Sequence, residues 1–199
     1  MKENLAILIS GNGSTMEAII KAKQNNRLNL DIACIISSNP DADGIQKAKK
    51  LGIPEKDILI IPRQPIETFG QRLLQSLQVR GVTLVSQNGW LPLTPEKVIE
   101  AYKDKIFNQH PGDPNRFGGK GMYGIAVYQA AINYYKNTGE DNHCVIIQKV
   151  SKNFDEGQIV KSTFVKILPN DTPESLQERC LPIEHETVVS FLENFSKNY

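Results

Sequence analysis

The sequence predicts an α/β fold: a doubly wound, mostly parallel sheet with helices on both faces and an antiparallel strand addition toward the C-terminus. Three observations carry the prediction. Short runs such as Leu5–Ser10 and Asp31–Ser37 are apolar at nearly every position, so each needs cover on both faces. Stretches with apolar residues at helical spacing separate these runs, as crossover helices between parallel strands do. In the second half, two β-rich runs are joined by the polar turn Ser151–Gly157, which reads as an antiparallel pair.

Leu5–Ser10 (LAILIS) is the first strand and stops at Gly11. Ser14 and Glu17 have capping-box spacing, so the first helix starts at Ser14 and carries Ala18, Ile19 and Ala22 on one face. Asp31–Ser37 is the second strand, followed by the turn Asn39-Pro40-Asp41 and a helix over Gly44–Leu51 that stops at Gly52. Ile58–Ile61 is the third strand, ended by Pro62. The helix Glu67–Arg80 aligns Phe69, Leu73, Leu74 and Leu77, and Val82–Val85 is the fourth strand. A fifth strand ends at Phe107. The segment His110–Gly124 is too rich in glycine and proline to be one regular element. A helix over Ile125–Tyr135, strands over Cys144–Val150 and Gln158–Ile167, and a last helix from Glu174 to about Phe195, opened by Pro173 and bent near Pro182, complete the chain. Ligands of such sheets bind beyond the carboxyl ends of the strands, which singles out the residues after Ser10, Ser37, Ile61, Val85 and Phe107.

Composition narrows the class. The 199 residues are 40% apolar, 23% charged and 7% aromatic, which excludes a disordered, collagen-like or coiled-coil chain and suits one domain. A formal charge of +1 leaves no electrostatic footprint for nucleic acid or an anionic membrane. No apolar run approaches the ~20 residues of a membrane span, and Leu5–Ser10 is too short for a secretory signal, so a cytoplasmic protein is expected. Cys34, Cys144 and Cys180 lack CxxC spacing and read as free thiols, and His143 has no partner at metal-ligand spacing, so no metal is expected.

Two sites carry chemistry. Gly11-Asn12-Gly13-Ser14-Thr15 joins the first strand to the first helix, where free N–H groups and the positive end of the helix dipole attract an anion. The loop lacks both G-x-G-x-x-G and G-K-[ST], which disfavours a dinucleotide or a Walker loop and leaves a phosphate monoester. Farther on, Asn108 and His110 are two apart in an extended segment and aim at one spot. Histidine handles protons near neutral pH, and asparagine donates to a developing oxyanion. Asp155, in the turn between the last two strands, would complete the set as the anion that orients the imidazole.

At these residues the chain resembles the phosphoribosylglycinamide formyltransferases, folate-dependent enzymes of purine synthesis. The resemblance spans nearly the whole chain. It rests on Leu8-Ile9-Ser10-Gly11-Asn12-Gly13-Ser14 followed by Ala18-Ile19-Ile20, on the turn Ser38–Gly44, on Asn108-x-His110-Pro111, on Phe154-Asp155-Glu156-Gly157-Gln158-Ile159-Val160, and on Glu184-His185 in the C-terminal helix. It implies the formyltransferase fold over residues 1–199, with a phosphate-binding half of about 1–100 and a folate and catalytic half of about 101–199. It implies 10-formyltetrahydrofolate as co-substrate and glycinamide ribonucleotide as acceptor, with neither nucleic acid nor membrane as partner and a monomer or homodimer as the assembly. Gly11, Asn12, Gly13, Ser14 and Thr15 would hold the acceptor's phosphate, and Glu184 its ribose hydroxyls or glycinamide end. Leu91, Pro92 and Leu93 would line the pterin pocket. Trp90 and Tyr123 would stack there or pack in the core, and the turn Lys152-Asn153-Phe154-Asp155 would close over it. Asn108 and protonated His110 would stabilise the tetrahedral oxyanion, and Asp155 would orient His110 and favour its charged form.

The chain also departs from that family. Ser-Leu-Leu-Pro usually follows His-Pro, where this chain has Gly112–Lys120. Pro92 and Ile66 stand where the family has arginines, and the 45 positions from His110 to Asp155 exceed the usual spacing. Lys120, Arg116 or Arg63 would supply the lost charge, with Gly118-Gly119-Lys120-Gly121 as a backbone nest or as a flexible solvated loop. Met122 and Phe117 read as packing residues. The alternatives are an N-formyltransferase for a sugar-nucleotide amine and a non-catalytic folate- or phosphate-binding module.

Overall fold

A computed structural model describes residues 2–197. Seven strands form one sheet: β1 (Glu3–Ile9), β2 (Leu30–Ser37), β3 (Ile58–Ile60), β4 (Leu84–Asn88), β5 (Ile106–His110), β6 (Asn142–Lys149) and β7 (Ile159–Lys166). Their order is β3-β2-β1-β4-β5-β6-β7. The first five are parallel, and β6 and β7 are antiparallel. The helices are α1 (Ser14–Gln24), α2 (Asp43–Lys50), α3 (Ile66–Val79), α4 (Glu96–Ala101), α5 (Pro114–Phe117), α6 (Ile125–Thr138) and α7 (Pro173–Lys197).

Strand periodicity divides the core. Leu5, Ile7 and Ile9 of β1 join Ile19 of α1 and Val188 and Leu192 of α7 on one face, whereas Ala6 and Leu8 join Phe69, Leu73 and Leu77 of α3 on the other. Burying each such Leu, Ile or Phe contributes about 1.5–3 kcal/mol, which is why the runs are apolar on both faces. A third cluster gathers Phe117, Val127, Tyr128, Val145, Leu176 and Cys180 between α6, α7 and the antiparallel strands. Helix α7 packs on α1, α6, β6 and β7, and Arg27, in the loop between α1 and β2, pairs with its Glu186 and Glu193.

Several boundaries differ from the sequence expectation. The fourth strand begins at Leu84 and runs on through Ser86, Gln87 and Asn88, all buried although polar. Asn108 and His110 lie within β5 rather than after it. The capping box does not form. Gly13 is the N-cap, and Glu17 pairs with Lys21 at 2.7 Å. Helix α4 lies in a stretch without an expected element, and α5 is a short turn of helix inside the glycine-rich segment. Helix α7 is unbroken through Pro182.

Candidate active site

The chain leaves β1 toward β2 on one side and later enters β4 on the other, so the sheet's topological switch lies between β1 and β4. A cleft of about 910 Å³ opens at this edge and extends across β5 and β6 to α7. Ser10, just after β1, has its hydroxyl 2.6 Å from that of Ser38 and accepts from the Leu91 N–H at 2.9 Å.

At one end lies the Gly11–Thr15 loop, all five residues of which line the cleft. Gly13 sits at φ 72°, and a Cβ there would stand 2.9 Å from the Cα of Gly44, so the chain needs glycine for conformation and for space. The Gly44 N–H donates to the Gly11 carbonyl at 3.1 Å. No side chain caps α1, which leaves its first N–H groups facing the cleft for an anion. Lys47 of α2 donates to Asn12 Oδ1 at 2.5 Å and adds a cation beside the loop.

At the centre, Asn108, His110 and Asp155 meet. His110 is buried, with Nε2 2.8 Å from the Phe117 carbonyl, so Nε2 carries a proton and Nδ1 faces Asp155 Oδ1 at 3.5 Å. Asn108 Nδ2 lies 3.4 Å from the same oxygen. Asp155 adopts φ 57° in its turn and accepts from Gln148 Nε2 at 2.9 Å and from the Gly119 N–H at 3.0 Å. The turn lies hard against β6: a Cβ on Gly157 would stand 1.6 Å from the Lys149 carbonyl oxygen.

Beyond the triad, Glu184 of α7 lines the cleft and is buried. Gln109 Nε2 donates to its Oε2 at 3.0 Å, and the Tyr128 hydroxyl donates to its Oε1. Burial pushes the Glu184 carboxyl above the usual range, opposed by these two donors.

Residues 3–192 match the formyl transferase family. The chain belongs to it. It is 32% identical over 192 residues to the chloroplastic phosphoribosylglycinamide formyltransferase of Arabidopsis thaliana, covering 94% of this chain and 63% of that one. With Vigna unguiculata's chloroplastic counterpart, of which it covers 60%, it thus spans about three fifths of each plant relative. The phosphoribosylglycinamide formyltransferase of Dictyostelium discoideum is 29% identical over 209 residues, covering 98% and 99% of the two chains. Among solved structures, the phosphoribosylglycinamide formyltransferase of Coxiella burnetii superposes with a TM-score of 0.87 at 26% identity, covering 100% of this chain and 89% of that one.

Most of the anticipated site residues line one cleft: Leu91, Pro92, Leu93, Asn153, Phe154, Lys120 and Glu184 join the loop and the triad. Leu91, Leu93 and Tyr123 expose their apolar surface to it. Lys152 does not line it, because its ammonium pairs with Glu96 of α4. Trp90 touches the cleft but is buried and stacked on Phe69, with ring centres 6.2 Å apart, so packing dominates its role. Of the three candidate cations, Lys120 and Arg63 line the cleft, whereas Arg116 is held away by Glu140 at 2.8 Å and lies over Tyr134. Phe117 is buried as a packing residue, yet its carbonyl fixes the His110 tautomer. Gln148, Gln109 and Tyr128 were not singled out by sequence. The visible signal was a glutamine inside the apolar run Cys144–Val150. Among the described residues no group of three or more His, Cys, Asp or Glu side chains is placed to hold a metal ion.

Proposed function

We propose that this chain transfers the formyl group of 10-formyltetrahydrofolate to the amine of 5-phosphoribosylglycinamide, a step of purine synthesis, in the cytoplasm. The observation that carries the reading is that one cleft holds an uncapped helix N-terminus at one end and the Asn108–His110–Asp155 cluster at its centre. The acceptor's phosphate sits on the Gly11–Thr15 loop, whose residues come from the first half of the chain. Glu184 takes its ribose hydroxyls, and the second half supplies the catalytic groups. The folate lies along Leu91–Leu93, Tyr123 and Phe154. The amine nitrogen adds to the formyl carbon, and the carbonyl oxygen becomes an oxyanion facing Asn108 and the imidazolium of His110. Collapse breaks the bond to folate N10, which takes up the proton the amine has lost, with His110 as carrier. The products are the formamide and tetrahydrofolate.

The test is a spectroscopic assay of tetrahydrofolate release from 10-formyltetrahydrofolate with glycinamide ribonucleotide or a panel of amino-sugar nucleotides. Turnover with glycinamide ribonucleotide alone, reduced by about 10²-fold or more in His110→Ala, is the expected result. Turnover only with another amine would keep the chemistry and replace the acceptor, and folate binding without turnover would leave a binding module.

A further inference from the structure

Asp155 is held in place by a side chain that the triad does not include. Gln87 on β4, Asn108 on β5 and Gln148 on β6 lie opposite one another in the sheet register, so three carboxamides line up across neighbouring strands on the face that carries His110. All three line the cleft. Gln87 donates to Thr94 Oγ1 at 2.6 Å, away from the chemistry. Gln148 is 2% exposed and donates to Asp155 Oδ1 at 2.9 Å. A carboxylate only accepts, so the amide nitrogen must face Asp155 and Oε1 must turn away. That oxygen is buried and has no hydrogen-bond partner among the described residues. An orphaned buried acceptor destabilises a fold, so an apolar side chain of equal length would suit the packing better. The fold therefore carries a cost at Gln148, and the interaction obtained for it is the hold on Asp155.

We propose that Gln148 is a positioning residue that fixes the Asp155 carboxylate against His110. The inference rests on the formyl-transfer reading for its kinetic consequences only. Asp155 has little else to hold it: its backbone is left-handed, Asn108 is 3.4 Å away, and the Gly119 N–H reaches its other oxygen. His110 on β5 is the one side chain within ion-pair distance of it among the described residues. When the Gln148 amide is lost, the carboxylate swings off the His110 axis and the imidazolium loses its counter-charge at the moment the oxyanion forms.

Two substitutions test this. Gln148→Met keeps length and removes the donor. The expected result is an unchanged or higher melting temperature, folate affinity and both KM values within about twofold, and kcat lower by about 10- to 100-fold. Gln148→Glu donates to Asp155 only while protonated, so its kcat relative to wild type should climb as pH falls, whereas the Gln148→Met ratio stays flat. A melting temperature that falls while kcat holds in Gln148→Met would make the residue structural and overturn the proposal. If the wild-type chain turns over no amine, the functional reading fails by itself. The positioning claim is then read from ¹⁵N-histidine spectra: a His110 Nδ1 resonance that moves in Gln148→Met supports it, and one that matches wild type overturns it.

Discussion

Asp155 and Glu184 are two carboxylates in one cleft with opposite surroundings. Asp155 accepts hydrogen bonds from Gln148 and Gly119 and faces the His110 imidazole. Asp155→Asn would turn an N–H toward these donors and remove the counter-charge. We expect kcat to fall by about 10²- to 10⁴-fold with folate affinity, measured by fluorescence titration, within a few-fold of wild type. Near-normal kcat would make Asp155 a turn residue. Glu184 is held neutral-leaning by burial, despite Tyr128 and Gln109. Because its folded pKa is raised, its contribution to stability is complete below the unfolded value and is lost as pH rises through the folded one. Glu184→Gln therefore should melt higher than wild type at pH 7–8 and the same near pH 4, while raising the acceptor KM. A variant that melts lower at pH 8 would contradict this environment. The three residues themselves were legible by type in the sequence, as histidine and asparagine two apart in a strand and aspartate in a glycine turn, whereas their meeting is seen only in the structure. Gln148, Gln109 and Tyr128 were not, because a hydrogen-bonding side chain is defined by a partner distant in the chain: 75 positions separate Gln109 from Glu184.

The elements were legible wherever apolar patterning defines them, and least so where polar function overrides it. β4 was expected to end at Val85, because Ser86, Gln87 and Asn88 break the apolar run, yet they remain in the ladder and are buried, Gln87 and Asn88 at the cleft. Ser14 and Glu17 carried a capping signal. The left-handed Gly13 took the cap position instead, which leaves the helix N–H groups free for a ligand rather than for Ser14. The turn between β6 and β7 shows the same priority. Gly157 lies so close to Lys149 that any Cβ would push the turn off β6, and Asp155 would move with it. Gly157→Ala should cost about 1–3 kcal/mol in chemical denaturation, in the range of overpacked sites. It should also lower kcat by at least about tenfold, since displacement of catalytic groups by an ångström has that scale of effect. Loss of stability with undiminished kcat per folded molecule would show that the turn tolerates displacement without moving Asp155.

At the scale of the whole molecule, α7 packs on α1 over one half of the sheet and on α6, β6 and β7 over the other, so one helix belongs to the cores of both halves. One cooperative transition is therefore expected in urea, and a local perturbation is read globally. His143 on β6 supplies such a perturbation. It is 2% exposed beneath the rings of Phe117 and Tyr128, and burial, with His110 and Arg179 nearby, pushes its imidazole down to about 4. The unfolded chain takes up this proton near pH 6.5 and the folded chain near 4, so between those values the unfolded state binds more protons and stability falls as pH falls. The loss levels off below 4 at about 3 kcal/mol, a large part of the 5–15 kcal/mol typical of a domain. Glu184 works in the opposite sense, since its raised carboxyl regains stability on acidification, so the wild-type slope is the difference of the two. His143→Leu isolates the histidine: its unfolding free energy from pH 7 to 4.5 should decline less than that of wild type. Equal slopes for the two proteins would mean that the imidazole is protonated within the folded chain at the same pH as in the unfolded one.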